Sequence, residues 1–235
     1  MASIRAAVER DYAAYATGDG DGCRNYAEQV RGWGYTEAVL AKYGLSTADK
    51  ENLFAAACGG GCPLLIDSTP PRAGDTVVDL GCGAGHDLIL AARMVGRGGC
   101  VIGVDLTQPM LDRASANVKR HLPAEHAAVV ELRRGCLDNG TALDGVVPEA
   151  LADVVISNGV FNLTADKEAA FRSAFRILKP GGRFLLCDVV QTAPAAPACG
   201  TPCCPLKSAA PPPTPTAAEP DTVTTMKSVG DGWSD

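Results

Sequence analysis

The segment TVVDLGCGAGHDLILAARMV, residues 76–95, constrains the fold of this chain more than any other. It begins with a short run rich in β-branched residues, which is typical of a buried strand over Thr76–Leu80. Three glycines at alternate positions follow, and apolar residues at helical spacing then predict a helix from about Asp87 to Val95. A strand that passes through a glycine turn into a helix is the opening of a β–α–β unit.

The alternation of strand-like and helix-like segments continues to about residue 190. A helix is predicted after Thr107, with Thr107 as N-cap and Pro109 in its first turn. Another is predicted from Thr164 and Asp166, with Phe171, Phe175 and Leu178 on one face. Four further strands are predicted in the segments GGCVIGVDLT, AAVVELRRG, ADVVISNG and RFLLCDVV. Apolar strands that alternate with helices favour an α/β fold, here a five-stranded, Rossmann-like, mostly parallel sheet covered on both faces.

Changes in composition divide the chain into three regions. We expect an N-terminal helical lid over residues 1–63, beginning with a helix at 2–16, and the Rossmann-like domain over 64–192. Residues 193–235 are rich in proline and poor in large apolar side chains. Such a segment buries too little surface to offset its ordering entropy, so we expect a disordered tail.

Charge and hydropathy exclude several classes of partner. The 235 residues carry a formal net charge of −6, which argues against a nucleic-acid backbone as the main partner. We expect no membrane contact and a cytoplasmic location, because the sequence lacks a long apolar run and a secretory signal. No complete metal-ligand pattern occurs among the ten cysteines. Four of them lie beside apolar segments, where we expect small buried hydrophobes: Cys82, Cys100, Cys136 and Cys187.

The glycine turn predicts a ligand that approaches the backbone closely. A dinucleotide site has the spacing G-x-G-x-x-G and places a pyrophosphate at the helix N-terminus. Here Gly81, Gly83 and Gly85 follow G-x-G-x-G, and Asp79 stands just before them. That carboxylate would repel a pyrophosphate but attract the amino group of a methionine moiety, so the pattern favours S-adenosylmethionine. His86 directly follows the glycine turn, and its side chain is expected to be exposed.

Three later segments supply further candidate cofactor residues, each after a predicted strand. Asp105, followed by Leu106, is placed to accept the ribose hydroxyl protons. The backbone N–H of Leu137 and the carboxylate of Asp138 are candidates for the adenine ring and its exocyclic amine. Asn158 ends the fourth strand. In open α/β sheets, ligands bind at the carboxyl ends of strands, so we expect these residues to converge there.

The segments VVDLGCGAGHD, VIGVDLTQPMLDRA, VVISNGVFNLTADKEAAFRSAFRILKPGGRF and RDYAAYATG together resemble the arsenite S-adenosylmethionine methyltransferases, a family of class I methyltransferases. The resemblance covers about residues 8–190. It implies methyl transfer from S-adenosylmethionine to trivalent arsenic, supplied as arsenite or its thiol conjugate, and a role in arsenic detoxification. It also implies cysteine thiolates that hold the arsenic, with Cys23, Cys58 and Cys62 as the candidates in this chain.

Two departures from that family keep other functions open. Gly159 and Phe161 stand in the stretch where the family usually has a cysteine, and no strand-like run follows Val190, where a sixth and a seventh strand are usual. One alternative is a methyltransferase for a small organic acceptor. The other is a non-catalytic or truncated homologue that binds S-adenosylmethionine. An oxidoreductase is disfavoured by the glycine spacing and by Asp79.

Overall fold

The computed structural model describes residues 2–17, 41, 70–138 and 143–188. One helix, α1 (Ala2–Thr17), precedes the sheet. The sheet region then alternates strands and helices in this order: β1 (Thr76–Leu80), α2 (His86–Val95), β2 (Cys100–Asp105), α3 (Gln108–His121), the single turn α4 (Ala124–Ala127), β3 (Val130–Arg134), β4 (Ala152–Asn158), α5 (Lys167–Ile177) and β5 (Leu178–Cys187). The α/β fold and the five strands predicted from sequence are thereby confirmed.

The five strands form one parallel sheet in the order β3-β2-β1-β4-β5. The chain starts at β1 in the centre, builds outward through β2 and β3, and then returns to add β4 and β5 on the other side of β1. Such a reversal of strand order creates a crevice at the carboxyl ends of the strands. A ligand is therefore expected to bind at the loops that follow β1, β2, β3 and β4.

Alternate residues of the strands pack into two apolar clusters, one on each face. On one face, Val77 and Val101 pack among the apolar side chains of α2 and α3, including Leu88 and Leu111. On the other face, a second cluster has these members from the strands and from α5: Val78, Ile102, Val155, Ala170, Ala174 and Ile177. Burial on both faces explains why the central strands are apolar throughout rather than alternating.

Glycine at position 103, in the middle of β2, allows α2 to lie close to the sheet. A Cβ added to Gly103 would stand 2.9 Å from the Cys82 sulfur and 3.0 Å from Leu132 Cδ2. It would also overlap Leu88 Cδ1 of α2, so a larger residue would push the helix or the glycine turn away. Cys82 itself is buried, as predicted, but Cys100, Cys136 and Cys187 are only partly buried.

Helix α5 packs against the sheet through its face of small residues. It begins at Asp166, whose side chain accepts a hydrogen bond from the backbone N–H of Ala169 as an N-cap. The side chains that it buries are small or sit at its end, whereas Phe171 and Phe175 are 45% and 80% exposed. Phe171 packs at the edge of the core against the buried Phe161, with ring centroids 4.7 Å apart, whereas Phe175 faces solvent.

The last strand begins earlier than predicted. β5 starts at Leu178, which pairs with Ala152, and the register then shifts so that Arg183 pairs with Val154. The intervening residues form an irregularity in the strand, with Gly181 at φ +77°. The turn-forming sequence KPGG therefore lies within the strand instead of preceding it. None of the described helices is long and apolar enough to cross a membrane.

Candidate cofactor-binding site

The loops at the carboxyl edge of the sheet carry the cofactor residues that the sequence predicts. We name three of these loops by their predicted roles: the glycine loop (Gly81–Gly85), the ribose loop (Asp105–Thr107) and the adenine loop (Gly135–Asp138). Asp79 lies near the end of β1, and Asn158 ends β4. The predicted thiolates Cys23, Cys58 and Cys62 lie outside the described residues, as do most of the predicted lid and the whole predicted tail.

The glycine loop is held in shape by its neighbours. Its three glycines have positive φ angles of +79°, +49° and +91°, a conformation that favours glycine. The backbone N–H groups of Gly81 and Cys82 donate to the Val104 carbonyl of β2, at 2.8 and 3.0 Å. From α3, the Asn117 side chain donates to the Ala84 carbonyl at 2.9 Å. The loop is therefore formed before any ligand arrives, which lowers the cost of binding.

Asp79 places a buried acidic side chain at the start of this loop. The residue is 3% exposed. Burial raises the pKa of its carboxyl well above the usual value, and repulsion from Asp87 and Asp105 raises it further. Within the described part of the chain, no lysine or arginine forms an ion pair with it. A buried carboxylate in this setting favours a cationic ligand, which suits the amino group of S-adenosylmethionine and opposes a pyrophosphate.

Asp105 connects the ribose loop to the glycine loop. One carboxylate oxygen, Oδ2, accepts from the Gly83 N–H at 2.9 Å. The other, Oδ1, accepts from the backbone N–H and the hydroxyl of Thr107, both at 2.9 Å. Burial raises the pKa of the Asp105 carboxyl, while these hydrogen bonds act in the opposite direction. The carboxylate is thus fixed at the edge of β2, at the position predicted for the ribose.

Thr107, the predicted N-cap of α3, contributes to the same arrangement. Its hydroxyl donates to Asp105, and it makes no side-chain capping bond to α3. Its role in orienting the carboxylate was missed by sequence reasoning, which had assigned it to the helix. The signal that could have found it is the short spacing between an acid and a threonine at a strand end.

The adenine loop is buried and crowded. Leu137 and Asp138 are 7% and 8% exposed. The Asp138 carboxylate accepts hydrogen bonds from four donors that belong to three separate parts of the chain: Arg5, Cys136, Ala165 and Asp166. Burial acts to raise the pKa of Asp138, but these hydrogen bonds outweigh it, and the pKa lies below its usual value. Asp138 therefore stays ionised at neutral pH.

Asn158 closes the side of the site next to β4. Its amide nitrogen donates to Asp87 Oδ2 at 2.9 Å, which connects the end of β4 to the first turn of α2. The preceding residue in α2, His86, is partly buried and not exposed as expected. Burial lowers the pKa of its imidazole from 6.5 to about 4, so His86 is neutral at pH 7. A neutral imidazole adds no positive charge to the acidic end of the site.

Comparison with known proteins identifies the family to which this architecture belongs. The profile of a family described as "Methyltransferase domain" matches residues 71–205. The arsenite methyltransferase of Halobacterium salinarum is 39% identical over 199 residues, which are 81% of this chain and 48% of that protein. The arsenite methyltransferase of Aquipseudomonas alcaligenes is 38% identical over 132 residues, which are 56% of this chain and 36% of that protein.

One solved structure is also among the similar proteins. The arsenic (III) S-adenosylmethionine methyltransferase from Chlamydomonas reinhardtii superposes with a TM-score of 0.49 at 32% identity, over 64% of this chain and 47% of that one. The chain spans less than half the length of either sequence relative. The matched family domain nevertheless covers more than half of the 235 residues and contains the whole sheet. The chain thus belongs to the S-adenosylmethionine-dependent methyltransferases, and the resemblance to their arsenite-methylating members is confirmed.

Proposed function

We propose that this protein transfers a methyl group from S-adenosylmethionine to trivalent arsenic. The observation that carries the proposal is the 39% identity to an arsenite methyltransferase over 81% of this chain. The site supports the cofactor half of the reaction, because it combines a pre-formed glycine loop with buried acidic side chains. The acceptor half rests on the relatives and on the cysteines in the sequence.

In this proposal the described residues bind and orient the cofactor. Asp79 takes the amino group, since an ammonium relieves the repulsion between that carboxylate and Asp87. Asp105 takes ribose hydroxyls from a position fixed by Gly83 and Thr107. The bound cofactor supplies an electrophilic methyl group on a sulfonium. Correct placement of that methyl against an acceptor supplies much of the rate enhancement for a displacement of this kind.

The arsenic is proposed to be held by thiolates of Cys23, Cys58 and Cys62. Thiolates are soft ligands and suit a soft acceptor. Trivalent arsenic already carries the lone pair that attacks the methyl group, so no general base is required. This explains how transfer can occur at an edge whose described histidine, His86, is neutral and partly buried.

The test is a turnover assay on the purified chain with S-adenosylmethionine, glutathione and arsenite. We expect formation of S-adenosylhomocysteine and of methylated arsenic only when arsenite is present. Separate replacement of Cys23, Cys58 and Cys62 by serine should reduce turnover while cofactor affinity stays unchanged. Cys100→Ser is the matched control, because Cys100 begins β2 at the opposite edge of the sheet from the candidate site.

A second candidate is methylation of a small organic acceptor. It is favoured by Gly159 and by Phe161, which is 3% exposed and packs against Phe171 and Phe184 beyond the end of β4. Product formation from an organic nucleophile without arsenite would establish this alternative. Tight cofactor binding with no turnover on any acceptor would establish a non-catalytic homologue.

A further inference from the structure

The Asp138 carboxylate is fully used by donors of the protein itself. Oδ1 accepts from Arg5 Nη2 at 3.0 Å and from the Cys136 thiol at 3.1 Å. Oδ2 accepts from the backbone N–H groups of Ala165 at 2.5 Å and Asp166 at 3.3 Å. An ionised carboxylate offers about four acceptor positions. Asp138 therefore acts as a junction between chain segments, and among these donors Arg5 comes from furthest away in the sequence.

A second contact links α1 to the same edge of the sheet. Arg134, which ends β3, donates through Nη2 to Glu9 Oε1 at 2.5 Å. Through Nε the same guanidinium donates to the Leu106 carbonyl at 3.0 Å. Arg134 thus joins α1 to the ribose loop, just as Asp138 joins α1 to the adenine loop.

Polar contacts and partial burial together hold helix α1 in place. Of its described side chains only Ala16 is buried, and Ile4 is 52% exposed. At its C-terminal end, Arg113 of α3 donates to the Ala16 carbonyl at 2.8 Å. Because most of the helix is only partly buried, these polar contacts add to its packing in fixing its position. Arg5 and Glu9 are four residues apart, so they lie on one face of α1.

We propose that Arg5 and Glu9 of α1 are positioning residues that hold the two adenosine-binding loops in place for the cofactor. The proposal rests on the proposed cofactor site. Arg5 holds the adenine loop through Asp138, and Glu9 holds the ribose loop through Arg134. Helix α1 is thereby part of the cofactor site, although the glycine, ribose and adenine loops all come from the sheet region.

The two contacts differ in strength. The Asp138 side chain is only 6% exposed, so its bond to Arg5 is a charge-assisted bond to a buried carboxylate. Glu9 is 42% exposed and its ion pair with Arg134 is open to solvent, which weakens such a pair. Arg5 is accordingly expected to matter more than Glu9.

The experiment measures cofactor affinity by calorimetric titration of the full chain with S-adenosylmethionine. Arg5→Ala should raise the Kd about tenfold, the effect expected for one charge-assisted bond. Arg5→Lys keeps the charge and should restore most of the affinity. Glu9→Ala should raise the Kd about twofold to threefold. The control is Arg10→Ala, since Arg10 pairs only with its exposed neighbour Asp11 among the described residues.

Turnover separates a positioning role from a purely structural one. We expect Arg5→Ala to raise the KM for S-adenosylmethionine with little change in kcat. A folded Arg5→Ala variant with wild-type Kd and KM would overturn the proposal, even if its melting temperature fell. Should Arg5→Ala fail to fold, Arg5→Lys and Glu9→Ala decide the same question. If the unmodified chain does not bind S-adenosylmethionine, the cofactor site itself is refuted, and this inference with it.

Discussion

The two halves of the sheet region are built differently. On the side of β1, β2 and β3, the glycine and ribose loops are joined to each other by hydrogen bonds through Asp105, and the adenine loop is anchored through Asp138. On the side of β4 and β5, the outer surface exposes three large apolar side chains: Phe171, Phe175 and Leu186. The loops of the first side are held by hydrogen bonds, whereas the second side leaves apolar side chains exposed among the described residues.

In the proposed function the first side binds the cofactor and the second side lies towards the acceptor, and this difference in role accounts for the difference in construction. A cofactor is the same molecule in every turnover, so a rigid, pre-formed set of loops lowers the entropy cost of binding it. Relatives that share a cofactor can differ in acceptor, and function is added to folds through variable sites. The side with β4 and β5, where Gly159 and Phe161 depart from the resembling family, is the side on which such variation is expected.

Asp105→Ala is expected to have the largest effect on the pre-formed loops. The change removes the carboxylate proposed for the ribose and also leaves the Gly83 N–H without its acceptor. Charge-assisted hydrogen bonds contribute about 1.5–3 kcal/mol each, so we expect cofactor affinity to fall at least about tenfold. Calorimetric titration measures it. The matched control is Asp112→Ala, because Asp112 is an exposed acid on α3 that accepts from Gln108; an unchanged Kd for folded Asp105→Ala would contradict the ribose placement.

Substitution of Gly81 tests whether the glycine loop is rigid. An added Cβ would stand 2.6 Å from Val160 Cγ1, and the residue has φ +79°. Left-handed strain of about 1–2 kcal/mol and overpacking of about 1–3 kcal/mol should both lower the free energy of unfolding of Gly81→Ala, measured in urea.

Two further variants separate these contributions. Gly74→Ala has φ +89° with nothing within 4 Å, so it should show the strain alone. The double variant Gly81→Ala/Val160→Ala removes the side chain that the new Cβ would strike, and it should recover part of the loss. Equal stabilities of Gly81→Ala and Gly74→Ala would show that the loop yields easily.

Asp79→Asn should make the protein more stable and the cofactor bind less well. The folded-state pKa of Asp79 is raised by burial and by nearby acids, so this carboxylate costs stability when ionised. Wild-type stability should therefore fall as pH rises from the usual carboxyl pKa through the raised one, and the asparagine variant should lack this fall. Each 1 kcal/mol gained raises the melting temperature by about 2–4 °C. A melting temperature below wild type at pH 7 would contradict the assignment.

The smallest effect is expected on the other side of the sheet, at Phe175. Because its side chain is 80% exposed, Phe175→Ser should change the free energy of unfolding by no more than about 0.5 kcal/mol. Ala174→Leu, on the buried face of the same helix, should cost about 1–3 kcal/mol. Thermal denaturation compares the two, and a large loss in Phe175→Ser would show that this face is covered.

Local patterns were sufficient to predict the sheet and the order of its loops. Five apolar runs, the alternate glycines and the acid at the end of β2 are signals confined to a few neighbouring residues. Four strands form where those signals predict, and β5 begins earlier. The parallel arrangement then brings the loops to one edge without further information. Asp79 and Asp105 were therefore predictable as neighbours, and their carboxylates do influence each other.

Contacts between distant segments were not predictable. The bond from Arg5 to Asp138 joins residues 133 positions apart. No local sequence pattern around either residue indicates that the two are in contact. Periodicity placed Phe171 and Phe175 on one helix face, but it could not say whether that face or the alanine-rich one meets the sheet. That choice depends on the space between α5 and the strands, which small residues such as Ala170 and Ala174 fill.

The central position of β1 has a consequence for the kinetics of folding. β1 pairs with β2 across a short α2 connection, whereas its pairing with β4 brings together Thr76 and Asp153, 77 positions apart. Contacts of high sequence separation form slowly, because a long loop must close first. We expect the β1–β2–β3 half to assemble early. Until β4 pairs, the backbone N–H and C=O groups on one edge of β1 have no partner strand. During that interval the strand most central to the native sheet is also the one most able to pair with another chain.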